Sequence, residues 1–133
     1  MPNAPVPPQI DEFLRAPRPA VMATVRSNGQ PVTVACWYDW QDGRLLLSMH
    51  RKAKRFGHLQ DNPNVAITVL GDSWYTHVSL IGHVSEIRGD PEMVDCHALS
   101  YRYRGEPYKD YQGTSLMTVM VDVDRYFTYG FDQ

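Results

Sequence analysis

Apolar positions along this chain change period several times, and each change marks a predicted element. Ile10, Phe13 and Leu14 fall at helical spacing with Asp11 and Glu12 in the first turn, which predicts a short helix. It should end before Pro17 and Pro19, because proline disfavours helix at the residue before it. From Arg18 the period becomes that of strands. Ala20 to Val25 is a nearly continuous apolar run, closed by Ser27-Asn28-Gly29-Gln30. Asn-Gly between two β-rich segments predicts a hairpin. Pro31 to Trp40 then alternates, with Val32, Val34, Cys36 and Tyr38 on one face and Thr33, Ala35, Trp37 and Asp39 on the other. Asp42-Gly43 predicts a second tight turn, after which Arg44 to His50 returns as a third strand of an antiparallel meander. Residues 51–62 break the β pattern and read as a helix ended by Asn62-Pro63. Val65 to Leu70 reads as a buried strand, and Trp74 to Arg88 as a long aromatic and β-branched one. Asp90 and Pro91 supply an N-cap and first helical residue for a helix to about Tyr103. After a Gly/Pro/Tyr-rich connection, 105–113, a last strand is predicted from Leu116 to about Val123.

The order is helix, three strands, helix, two strands, helix, one strand. Six strands with period-2 patterning in so short a chain predict a mainly β fold, an antiparallel barrel closed or nearly closed, with short flanking helices. Strands and helices do not alternate regularly, which argues against a parallel doubly wound sheet. Neither a GxGxxG nor a P-loop pattern occurs.

Composition narrows the function. The 133 residues suit one domain, with a flexible Pro-rich N-terminus over residues 1–9 and a single domain over 10–133. Thirteen basic against fifteen acidic residues leave a formal charge of −2, which argues against a nucleic-acid coat or a polybasic membrane binder. No apolar run reaches the length of a membrane span. Cys36 and Cys96 form no CxxC motif, so a disulfide scaffold is excluded and a cytoplasmic address is the expectation.

Charge is concentrated where the composition does not show it. Four of the thirteen basic residues lie within 51–55, namely Arg51, Lys52, Lys54 and Arg55. On a helix Arg51, Lys54, Arg55 and His58 share a face, with Phe56 and Leu59 on another. Ser48 and His50 share one face of the preceding strand end. A hydroxyl, an imidazole, a helix start and convergent cations together make a phosphate site. The alternative is a solvated helix face.

Leu45-Leu46-Leu47-Ser48, the basic helix, His58-Leu59-Gln60-Asp61-Asn62-Pro63-Asn64-Val65 and the long aromatic strand follow the two hairpin-linked strands in order. This series resembles the pyridoxamine-phosphate-oxidase-like split-barrel flavoproteins, and among them the actinobacterial flavin/deazaflavin oxidoreductases. The resemblance spans roughly residues 10–90. It implies a six-stranded antiparallel split β-barrel (FMN-binding split barrel) that works as a homodimer with its cofactor at the interface. Ser48, His50, Arg51, Lys52, Lys54 and Arg55 would hold the cofactor phosphate, and Ala35, Cys36, Trp37 and Tyr38 would line its ring. Trp74 or Tyr75 would reach across the dimer. His58-Leu59 stands where the family usually has Asn-Leu, and Arg55 where it has Lys.

The activity so implied is hydride transfer from reduced coenzyme F420 to a small conjugated or aromatic substrate, with no obligatory catalytic side chain. An FMN-dependent oxidase or reductase, and a non-catalytic flavin, F420 or haem carrier, are the other readings. Cys36, mid-strand in an apolar pattern, is expected to be a buried inert thiol. His50, His58, His77, His83 and His97 show no metal-ligand spacing. Tyr101, Tyr103, Tyr108 and Tyr111 border a substrate pocket, form a lid or pack.

Overall fold

The computed structural model describes residues 1–131; the last two residues of the expected domain lie outside them. Helix α1 (Pro8–Arg15) buries Ile10, Phe13 and Leu14 and stops before Pro17, as their spacing and the prolines predict. Seven strands follow in one antiparallel sheet: β1 (Ala20–Val25), β2 (Pro31–Cys36), β3 (Asp39–Gln41), β4 (Arg44–His50), β5 (Asn64–Leu70), β6 (His77–Gly89) and β7 (Leu116–Tyr129). Helix α2 (Lys54–Asp61) joins β4 to β5, and α3 (Val94–Arg104) joins β6 to β7. Among the described residues no helix is long and apolar enough to cross a membrane.

The strand order β2-β1-β5-β6-β7-β4-β3 corrects the expected six strands to seven and leaves the sheet unclosed. Pro31–Trp40 is two strands. β2 pairs with β1, whereas β3 pairs with β4 at the opposite edge. The third strand of the expected meander, β4, therefore lies between β3 and β7 instead of beside residues 31–36. Both halves keep the alternation, so period alone could not reveal the break.

At the break, side chains occupy the backbone of Tyr38. Its N–H donates to the Tyr103 hydroxyl and its carbonyl accepts from Arg102 Nε at 2.9 Å. The phenol ring is fully buried, and its hydroxyl lies 3.0 Å from the Leu14 carbonyl and 2.9 Å from that of Ala16. The main apolar core draws on α1, α2 and most of the strands, and two smaller clusters pack α3 against β4 and β7.

The remaining differences in boundaries have local causes. At the Asp42-Gly43 turn both residues have positive φ, 52° and 76°, the twist that a two-residue hairpin requires. β6 and β7 pair along nearly their whole length, with register shifts at Ile81/Gly82 and Val84/Glu86. A Cβ at Gly82 would collide with the Asp122 carbonyl oxygen, so only glycine fits that bulge. β7 outruns the apolar pattern because its last residues, Arg125 to Tyr129, pair with His77 to Ile81 of β6. The N-terminal segment is extended and pairs with β7, the Ala4 N–H donating to the Asp124 carbonyl at 2.9 Å.

α3 begins at Val94, not at Pro91, because Met93 adopts a left-handed conformation one residue earlier. Asp90 still serves that helix. Its carboxylate accepts the Val94, Asp95 and Cys96 N–H groups at 2.8, 3.0 and 3.1 Å while only 5% exposed. Asp90→Ala leaves three amides without an acceptor. It is expected to lower stability by about 2 kcal/mol, measured as a shift in the urea midpoint.

Candidate functional site

Beside the β2 edge, the end of β4, the start of α2 and one side of α3 surround a cavity of about 610 Å³. That volume lies within the range of small-molecule and cofactor sites. Ala35, Cys36 and Trp37 form one wall. Because β2 is an edge strand, its outer backbone groups face no further strand. Ser48, Met49 and His50 close the β4 end, with Ala53 and Arg55 from the start of α2. Cys96, Leu99 and Arg104 of α3, and Tyr108, Asp110 and Tyr111 of the following connection, complete the lining with Pro19, Ala20 and Leu116.

Of the residues proposed from sequence, Ala35, Cys36, Trp37, Ser48, His50 and Arg55 come together here. Tyr38 does not, since its ring is wholly inside the core. Nor do Arg51, Lys52 and Lys54 line the cavity. Arg51 and Lys52 precede α2 instead of opening it, because the Lys52 and Ala53 N–H groups fold back onto His50. The Arg51 guanidinium lies 3.6 Å from Met117 Sδ. His58, expected on the basic face, instead holds α2 to β1 through Nδ1, 2.9 Å from Thr24 Oγ1. Trp74 and Tyr75 sit in the turn between β5 and β6, not in the strand, and are 81% and 74% exposed.

Arg55 is the most informative of the lining residues. Its Nη2 donates to the Ser48 carbonyl at 3.3 Å, while its Nε is buried without a partner. An orphaned donor on a permanently charged group is costly unless a ligand supplies the acceptor. Beside it, no side chain caps the start of α2, so the positive end of the helix dipole is open to an anion. His50 accepts the Lys52 N–H at Nδ1, 3.0 Å, so a neutral ring carries its proton on Nε2. The ring stands edge-on to Tyr111, centroids 5.1 Å apart. A guanidinium, an imidazole N–H, a hydroxyl and an open helix start suit a phosphate, and the apolar wall beside β2 suits a planar ring.

Burial suppresses ionisation of the thiols and phenols around the cavity. Desolvation pushes the Cys36 thiol up to about 11, against the pull of Arg55 and a hydrogen bond to Met22. Cys96 rises for the same first reason, as do the phenols of Tyr103 and Tyr108. With its thiolate at about one part in a thousand at pH 8, Cys36 is expected to resist iodoacetamide in folded protein. Intact-mass labelling over a pH series checks this, and modification should accelerate towards pH 11. Among the described residues, no three His, Cys, Asp or Glu side chains are grouped to hold a metal ion.

Sequence reasoning missed Arg104 and Asp110. Nothing in their spacing distinguishes them from other surface charges, and only the fold of the connection brings them to the cavity. The tyrosines of that connection were the one available signal. Trp37 stacks on Tyr103 (centroids 5.3 Å, interplanar 8°) and meets Tyr108 edge-on at 6.1 Å.

An open antiparallel β-sheet with a cofactor-sized cavity beside its β2 edge defines a small split-barrel class of protein. The family model described as pyridoxamine 5'-phosphate oxidase matches residues 6–123, and the chain belongs to that split-barrel superfamily, close to the F420 reductases. A solved F420 reductase superposes with a TM-score of 0.84 at 26% identity, covering 92% of this chain and 98% of that one. A conserved hypothetical protein from Mycobacterium tuberculosis gives 0.75 at 26% identity, covering 96% and 86%. A heme binding protein from Mycobacterium smegmatis gives 0.64 at 21% identity, covering 92% of this chain and 54% of that chain, and shares the fold alone. No curated protein matches.

Proposed function

We propose that this protein is a coenzyme F420-dependent reductase that reduces a small conjugated or aromatic acceptor. Arg55 carries the reading: a half-buried cation with an unsatisfied Nε, placed in the cavity beside an open helix start. The F420 reductase named above, similar over nearly the whole of both chains, favours F420 over FMN. When bound, the reduced deazaflavin supplies a hydride. The protein's part is to bind, orient and exclude water.

Arg55, the Ser48 hydroxyl and His50 Nε2–H hold the cofactor phosphate, while the exposed Arg51, Lys52 and Lys54 add to the positive field around the helix start. Ala35, Cys36 and Trp37 lie along the ring. Their wall carries neutral thiol and indole groups, so it presents no competing nucleophile at neutral pH. The working unit is a homodimer. Trp74 and Tyr75, large and almost fully exposed in one chain, cover the cofactor of the other.

Separate titrations with F420 and FMN, followed by fluorescence, test the reading. Saturable F420 binding with weaker FMN binding is expected. Tight FMN binding with none for F420 would replace the deazaflavin by a flavin.

A further inference from the structure

One cation in the cavity, unlike Arg55 and Arg102, is not tied to a backbone carbonyl. Arg104 closes α3 and lines the cavity, and its guanidinium carbon lies 4.9 Å from the centroid of the Trp37 ring. Resting on an indole backed by Tyr103, it is held in place before any ligand arrives. Its neighbour Arg102 differs in kind. That side chain is 15% exposed and is committed to backbone carbonyls. The carboxylate partner of Arg104 is Asp110, with Nη1 and Oδ2 3.6 Å apart and the two side chains 46% and 64% exposed. A pair so long and so open to water contributes little, yet it shows that a carboxylate reaches this guanidinium from inside the cavity.

We infer that Arg104, over Trp37 and beside the Tyr108 ring, is a subsite for the carboxylate of a planar unsaturated acid, which displaces Asp110. The inference rests on the proposed reductase reading and names its acceptor class as an anionic conjugated acid. The Tyr108 ring takes the unsaturated part by stacking, since Tyr103 and the guanidinium cover the faces of Trp37, and the guanidinium takes both carboxylate oxygens. Arg55, anchored to β4 through the Ser48 carbonyl, remains with the cofactor.

The probes are trans-cinnamate and its methyl ester, of similar shape and differing in charge. Calorimetry on the cofactor-free protein should show the acid binding about tenfold tighter than the ester. Arg104→Gln should bring that ratio close to one, Asp110→Asn should raise it, and Arg55→Gln should leave it in place. Equal binding of acid and ester by the native chain overturns the subsite, as does a ratio that survives Arg104→Gln or disappears with Arg55→Gln. F420 and FMN titrations on the same proteins keep the two readings apart. Absence of affinity for both cofactors removes the reductase reading but leaves a measured carboxylate preference standing.

Discussion

Replacing Arg55 by alanine should weaken F420 binding roughly a hundredfold while leaving the melting temperature of the cofactor-free protein nearly unchanged. The binding loss follows from removing a fixed cation whose Nε is buried without an acceptor. A charge-assisted contact to phosphate in such a site is worth about 2–3 kcal/mol, and each 1.4 kcal/mol is about a factor of ten. The small effect on stability has its own cause. Only the 3.3 Å bond to the Ser48 carbonyl is lost, and deleting an unsatisfied buried donor offsets that loss.

Lys54→Ala, next in the chain but exposed and outside the cavity, should cost only a few-fold by weakening the field. Equal losses for the two variants would show that the phosphate sits on the helix surface instead of in the cavity. Loss of Arg55 also removes the charge that pulls the Cys36 thiol down. Alkylation of Cys36 should then be slower still, a readout independent of cofactor.

The largest effect on stability is expected at Arg102. Its guanidinium donates to the carbonyls of Arg15 at 2.6 Å, Ala16 at 2.9 Å, Leu14 at 3.3 Å and Tyr38 at 2.9 Å. It also pairs with Asp39 at 3.4 Å. These bonds join α3 to the C-terminal end of α1 and to the Trp37–Tyr38 crossing between the two sheet edges.

Arg102→Ala strands those carbonyls and should lower unfolding free energy by about 4 kcal/mol, given 1.5–3 kcal/mol for hydrogen bonds to a charged group and partial rescue by water. Arg102→Lys should recover only part, because an ammonium cannot reproduce the planar fork. Equilibrium denaturation in urea measures both. A loss below about 1 kcal/mol for the alanine variant would mean that the crossing holds without α3.

Local chemistry made much of the fold legible. Gly29, Asp42 and Gly43 adopt positive φ, which few residues accept, so their turns are specified wherever the strands go. Ile10, Phe13 and Leu14 bury one face of α1, and Phe56 and Leu59 one face of α2, as their spacing requires. The basic segment at 51–55 was visible as a concentration of charge. Which of its members enters the cavity was not, because that depends on the turn folded over His50.

Period and turn chemistry in the sequence determined a β-rich chain of tight hairpins with three short helices and a cationic segment after a strand. Tertiary structure decided where the hairpins separate, which is between Trp37 and Tyr38. Alternation continues across that point, and only the distant Arg102 and Tyr103 occupy the backbone there. It also decided that Arg55, Trp37 and Arg104 share one cavity. Their positions in the chain are far apart, and a local pattern carries no information about contacts made by closing long loops.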